Sequence, residues 1–465
     1  MNSKNLVETL DHVNLFDKTS RKGIKRRSYY RFPYIKWPNN TPCHIANMYI
    51  IELSKRHQLI SNDNRRQDSK GGTLGQYASH ISQLIRCCWI HQTDPFHISD
   101  KFFSDFIQNL IEEKHHLHPE RNKRSDTSTI NIGRVCLGFL RWVGIFYGDP
   151  NFVSPSGTIR TSTQKIRRTY NGHIKEIETE SHHSFPLPYR EHTRSPIPEH
   201  NITKIEQAAD RIARTKFLNT RHRALVDLLQ HTGARRAEIA SLTLSAITDS
   251  QLMIHPMLNL VTVKRGQKFI REIPINALAL NWVKKYLGQR FELSKKFPGS
   301  KNQFLFISET TGNPLAIETV TSTMSKLRKA AAIPEQACAH MFRHAFITNL
   351  FTLLVERHKF QSKDEFEAAL INDKVFLKLV QGWTGHKSID SLRTYIATAF
   401  DSPEAAENAA HSVHQTRTLE IYQKQADALY NEFKNGSISA EEYIRESDEL
   451  QALRDIELKR YGDAP

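Results

Sequence analysis

Cysteine is scarce in this sequence. Its five residues, Cys43, Cys87, Cys88, Cys136 and Cys338, are an odd number with no C-x-x-C pair. That count argues against a disulfide framework and against a zinc site built from thiolates, and a reducing cytoplasm is the expected compartment. No stretch approaches roughly 18 consecutive apolar residues, so a membrane-spanning helix is not expected. The first residues, Met1-Asn-Ser-Lys-Asn-Leu-Val-Glu, lack the apolar core of a secretory leader, and none is expected. Long-period repeats and low-complexity tracts are also absent from the sequence.

What remains is a globular composition, 39% hydrophobic and 25% charged, over 465 residues, long enough for two or three domains. Basic residues outnumber acidic ones, 65 to 49, for a net charge of +16. The imbalance is uneven. Residues 401–465 hold 14 acidic and 7 basic side chains, a net of −7, which leaves +23 on residues 1–400. A basic body with an acidic tail points to a polyanion, above all nucleic acid. The densest basic run is Arg21, Lys22, Lys25, Arg26 and Arg27, followed by Tyr29, Tyr30, Phe32, Tyr34 and Trp37. Cations there suit phosphates and aromatic faces suit bases or sugars, unless the aromatics simply dock on the next domain.

The pattern divides the chain into five parts. Residues 1–40 form a basic aromatic arm, kept from helix by Pro33 and Pro38. Residues 41–148 show helical periodicity (Leu74, Tyr77, Ile81, Leu84, Ile85; then Val135, Phe139, Trp142) and read as a helical bundle. Residues 149–198, rich in Ser, Thr, Pro, Arg and His, read as a polar basic linker. Residues 199–400 alternate helices with a short β section, with strands expected at Leu252–His255, Leu260–Val263 and Phe269–Ile275. Residues 401–465 are an acidic helical extension broken at Asn435-Gly436. The fold class is mainly α with a small antiparallel β-sheet.

Three segments carry residue types suited to a phosphodiester: Thr232-Gly-Ala-Arg235-Arg-Ala-Glu238, His340-Met-Phe-Arg343-His344, and Gly385-His386 followed nine residues later by Tyr395. Arginine forks grip non-bridging oxygens, histidines donate and accept protons near neutral pH, and a tyrosine hydroxyl can attack phosphorus. No Asp/Glu cluster accompanies them, which disfavours two-metal nuclease chemistry. Elsewhere, Lys114-His-His-Leu-His118 lacks further ligands at useful spacing and His182-His183 reads as polar filler, so no metal site is expected.

In this order and spacing the segments resemble the tyrosine recombinases, or phage integrases. That family shows T-G-x-R-x-x-E, H-x-x-R-H, G-H, and a tyrosine nine residues on. The resemblance is close over about residues 200–400, and residues 40–148 match the family's core-binding domain in position and character. It implies a helical core-binding domain followed by an α+β catalytic domain, closing round the duplex as a clamp. It also implies Arg235, Lys264, His340, Arg343, His386 and Tyr395 as catalytic, with Glu238 and His344 in support. The family's lysine lies on a β-hairpin, where Lys264 is the choice and Lys268, otherwise a DNA contact, competes. Phe342 and Thr384 stand where leucine is usual, which are packing changes. By the same resemblance Tyr395 would form a 3′-phosphotyrosyl bond, with no cofactor. A homotetramer would act on paired DNA sites, with an accessory DNA-bending protein possible, and would mobilise a phage, genomic island or transposon. Type IB topoisomerase relaxation and a non-catalytic DNA-binding regulator are the rival readings.

Overall fold

The computed structural model describes residues 5–20, 23–55, 71–116, 118–170, 173–187, 195–254, 256–264, 267–298, 302–358, 362–386, 391–393, 395–396 and 413–462. They form two compact units, Met1–His192 with Val263–Gln267, and Thr193–Thr262 with Lys268–Pro465. Helices dominate, and every sheet is small.

The first unit opens with four strands, β1 (Val7–Leu10), β2 (Val13–Ser20), β3 (Gly23–Tyr29) and β4 (Phe32–Ile35). Strand β1 pairs antiparallel with β4, and β2 with β3, so the aromatic arm is one hairpin nested in another. Four helices follow: α1 (His44–Ser54), α2 (Gly72–Ile90), α3 (Asp100–Glu112) and α4 (Asp126–Phe146). Helices α3 and α4 start where Ser99 and Ser125 accept hydrogen bonds from the amides of Phe102 and Ser128. Such caps satisfy orphan amides, and the following aspartates suit the positive end of each helix dipole. The bundle buries Ile81, Leu84, Ile85, Phe103, Leu137, Phe139 and Leu140, each contributing about 1.5–3 kcal/mol on removal from water. Among the described residues α4 alone is long and apolar enough to cross a bilayer, but more than half of it lies buried in this core.

Between α3 and α4 sits a short hairpin, β5 (Lys114–His115) with β6 (His118–Asn122). The stretch expected as a linker is instead largely a three-stranded sheet of β7 (Val153–Ser154), β8 (Ile159–Tyr170) and β9 (His173–His182). β8 and β9 pair continuously from Thr161↔His182 to Tyr170↔His173, with Lys165 opposite Glu178. Opposite charges across an antiparallel pair are stabilising, and they leave no apolar alternation for a periodicity reading to detect.

The second unit contains α5 (Glu199–Ile212), α6 (Lys216–Thr232), the short α7 (Arg236–Ala240), α8 (Leu244–Leu252), β10 (Met257–Lys264) and β11 (Gln267–Pro274) apart from their tip at Val263–Gln267, α9 (Asn281–Ser294), α10 (Ile317–Ala330), α11 (Ala339–His358), α12 (Lys363–Asn372) and α13 (Lys374–Thr384). The strand expected at Leu252–His255 does not form: α8 runs to Leu252, Met253 and Ile254 bend away, and His255 lies outside the described residues. Thr243 caps α8 by accepting from the Ala246 amide, a local signal that outweighs three β-prone side chains. Leu225, Leu228, Leu229, Ile239, Tyr286, Phe306, Phe342 and Phe351 fill the core.

Two further helices, α14 (Val413–Lys434) and α15 (Ala440–Gly462), make up the acidic extension and turn at Gly436, whose φ is 70°. Their Ile421, Leu429 and Leu450 cluster with Leu278. The Asn276 side chain donates to Thr418 Oγ1 at 2.8 Å, and Lys424 sits between Glu199 at 3.0 Å and Glu206 at 2.9 Å. The extension therefore packs on the rest of the second unit. A cavity of about 910 Å³ remains beside α14, lined in part by Glu206, Asp227, Trp282, Phe346 and Lys424.

Candidate active site

The site begins where α6 ends. Gly233 caps that helix at φ 53°, and a Cβ there would fall 2.6 Å from the Phe346 ring, so the position needs glycine. The chain reverses into Arg235, the N-cap of α7. The Arg235 amide donates to Glu238 Oε2 at 2.8 Å, and its guanidinium donates to Glu238 Oε1 at 2.8 Å. The three-residue spacing of the first motif is thus a helix cap that also aims a cation.

Glu238 is 1% exposed. Besides Arg235, it accepts from the Thr262 hydroxyl on β10 and from Arg271 on β11 at 2.8 Å. Burial alone would raise its pKa, but the Arg271 charge, the Thr262 hydroxyl and the Arg235 amide and charge bring it down to about 2. Arg271 also donates to the Trp383 carbonyl at the end of α13.

Arg343 is 1% exposed and donates to two backbone carbonyls, Gly233 at 2.9 Å and Thr384. Burial, together with the charges of Arg235 and Arg271, lowers its pKa to about 9. Thr384 Oγ1 donates to the Val380 carbonyl at 2.8 Å and accepts from the His386 amide at 3.4 Å. Gly385 between them has φ 63°, and an added Cβ would meet Arg271 Cδ at 2.5 Å. Its carbonyl accepts from Arg235 at 3.4 Å. The Gly-His motif is therefore a left-handed turn pressed against two arginines.

On α11, His340 and His344 stand one turn apart with ring centres 4.6 Å from each other. The Tyr395 ring lies 5.0 Å from that of His344 and 5.6 Å from that of His386. Tyr395 is 6% exposed, whereas Arg235 keeps 27% of its side chain in solvent. Burial raises the phenol pKa of Tyr395, while the charges of Arg343 and Arg235 act to lower it.

Arg235, Glu238, His340, Arg343, His344, His386 and Tyr395 thus come from separate segments into one neighbourhood. Lys264 and Lys268 lie on the paired strands β10 and β11, and their side chains fall outside the described residues. Arg21 and Lys22 also fall outside them, as does the Lys25 side chain, while Arg26 is exposed and Arg27 half-buried on β3. Two residues escaped the sequence reading, Thr262 and Arg271. Strand parity holds a signal for the second: Arg271, Ile273 and Ile275 are buried in alternation with exposed neighbours.

The phage integrase family matches residues 196–362. The match takes in Arg235, Glu238, His340, Arg343 and His344 and ends before Gly385, His386 and Tyr395. Tyrosine recombinase XerC of Vibrio atlanticus (strain LGP32) is 23% identical over 321 residues, 67% of this chain and 93% of that one. Tyrosine recombinase XerC 2 of Ralstonia nicotianae is 24% identical over 197 residues, and the match spans only 48% of its length. Tyrosine recombinase XerD of Corynebacterium glutamicum is 26% identical over 195 residues, 42% of this chain and 54% of that one. Among solved structures, the XerH site-specific recombinase on palindromic difH substrate shares 16% identity at TM-score 0.46, covering 78% of this chain and 94% of that one. With an integrase-family match at 196–362 and relatives of both the XerC and XerD kinds at 23–26% identity, the chain is similar to the tyrosine recombinases.

Proposed function

We propose that the protein cuts and rejoins double-stranded DNA at specific sites through a covalent bond between Tyr395 and a 3′-phosphate. One observation carries this reading. The Tyr395 phenol lies within electrostatic reach of Arg343 and Arg235, with its ring against His344 and His386.

In this scheme Arg235, the more exposed arginine, and Arg343 stabilise charge on the non-bridging oxygens as phosphorus becomes five-coordinate. Tyr395 attacks in line, the bond to the 5′-oxygen breaks, and a general acid protonates that oxygen. Lys264 is the proposed acid, with Lys268 as its competitor on the facing strand. His340 takes up the phenolic proton, and His386 hydrogen-bonds the phosphate. Glu238 holds Arg235 in aim, and His344 buttresses His340 and Tyr395. The 5′-hydroxyl of another strand then attacks the phosphotyrosyl bond, restores a phosphodiester and frees Tyr395. The bond energy is conserved, so the chemistry calls for neither nucleotide nor metal.

The assembly we propose is a homotetramer on paired sites, with Arg26 and Arg27 among the DNA contacts of the first unit. Mobilisation of a phage, genomic island or transposon is the favoured role. A Xer-type role on a chromosome is the second reading, supported by the names of the relatives. A nicked suicide duplex carrying the junction of the encoding element tests the chemistry. Wild type should give a covalent protein–DNA band on a denaturing gel, and Tyr395→Phe should bind the duplex without giving one. Tight binding by wild type with no band would overturn the proposal.

A further inference from the structure

We infer that Asp100, His182 and His183, in the first unit, form a site for one divalent transition-metal ion that clasps the end of β9 to the start of α3. The sequence gives little sign of it, because Asp100 lies 82 residues from His182. In the fold, one ligand atom from each of the three lies within 4.8 Å of the others. His182 Nε2 is 3.0 Å from Asp100 Oδ1, and His183 Nδ1 is 3.8 Å from Asp100 Oδ2. Tetrahedral ligands with bonds of about 2.0–2.1 Å stand about 3.3 Å apart, and both contacts, which run to different carboxylate oxygens, come within about 0.5 Å of that.

The surroundings match what such ligands need. A ligating histidine is normally oriented by a hydrogen bond to its other ring nitrogen. His182 Nδ1 lies 2.7 Å from Ser184 Oγ, and His183 Nε2 lies 3.1 Å from Ser104 Oγ. Asp100 Oδ1 is held by the Arg160 amide at 2.8 Å. The His182 side chain is fully buried, whereas that of His183 is 62% exposed, which leaves an open side where water completes the coordination. Two imidazoles and one carboxylate suit zinc or a similar first-row ion, and not magnesium or calcium, which prefer oxygen throughout.

Without metal, His182 Nδ1 accepts from the Ser184 amide at 3.2 Å and Nε2–H donates to Asp100. Metal at Nε2 would shift that proton to Nδ1, which then gives up the amide contact and donates to Ser184 Oγ, so the switch moves a proton within the ring and releases none. The ion would stiffen the sheet against α3, independently of the chemistry at Tyr395.

The test uses the full chain carrying His115→Ala and His118→Ala, which removes a neighbouring histidine pair, half-buried and exposed, able to bind zinc adventitiously. Equilibrium dialysis should give one zinc per chain, cobalt should give the visible absorption of a tetrahedral site, and zinc should raise the melting temperature. His183→Ala, at an exposed position, should melt with its parent in EDTA yet lose about a hundredfold or more in zinc affinity, beyond the effect of an outer-shell change. No stoichiometric zinc in the parent, or zinc binding unaltered by His183→Ala, would reduce the cluster to an Asp100–His182 hydrogen bond and overturn the proposal.

Discussion

Arg271 donates to Glu238 Oε2 at 2.8 Å, and this buried pair ties β11 to the first turn of α7. Replacing one partner of such a pair strands the other's charge. Arg271→Gln should therefore lower stability in urea by about 3–5 kcal/mol. Arg271→Lys should recover part of that, because a lysine can reach Glu238 but cannot fork to the Trp383 carbonyl as well. Suicide-duplex cleavage at a temperature where both variants stay folded should fall with DNA binding retained.

The same pair sets an acid limit. The folded carboxyl of Glu238 titrates near 2, below its ordinary value of 4.5. A depressed carboxyl contributes fully above the unfolded value and loses its contribution as pH falls toward the folded one. Stability should decline from about pH 4.5 to about pH 2, and Arg271→Gln should weaken that dependence. Urea midpoints across this range check it.

Asp227 acts in the opposite sense. Burial and the neighbouring Glu206 raise its pKa to about 8, against the pull of Arg223 and Lys424. The folded state keeps a proton that the unfolded chain has lost, so this group lowers stability as pH rises from about 4 to 8. Asp227→Asn should raise the melting temperature at pH 8.5, by an amount that shrinks toward pH 4.

Gly385→Ala brings a Cβ to 2.5 Å from Arg271 Cδ in a left-handed backbone. A cost of about 1–3 kcal/mol is expected, with cleavage falling further than stability because the turn carries His386. Equal losses in thermal midpoint and cleavage would show that the turn is only structural.

The side chains gathered at the candidate site were legible because each sits in a short motif whose spacing is local geometry: a cap at Arg235 and Glu238, one helical turn from His340 to Arg343, a left-handed turn at Gly385. Arg271 was not, since Arg265, Lys264 and Lys268 surround it with the same charge, and only its parity with Ile273 and Ile275 sets it apart. The β8–β9 hairpin was missed for a related reason: its strands are matched by charge and not by apolar alternation. Leu252–His255 misled because a serine- and threonine-rich start favoured α8 over the strand that its side chains prefer.

Arg343 joins Gly233, 110 residues before it, to Thr384, 41 residues after it, through two carbonyls. Such contacts are far apart along the chain and close only when the whole unit has collapsed. A chain still emerging from the ribosome, or one cut short before α13, holds the first motif without its anchor. The site is in that sense an interlock: under the proposed function, the arrangement that would cleave DNA is assembled only when the fold is complete.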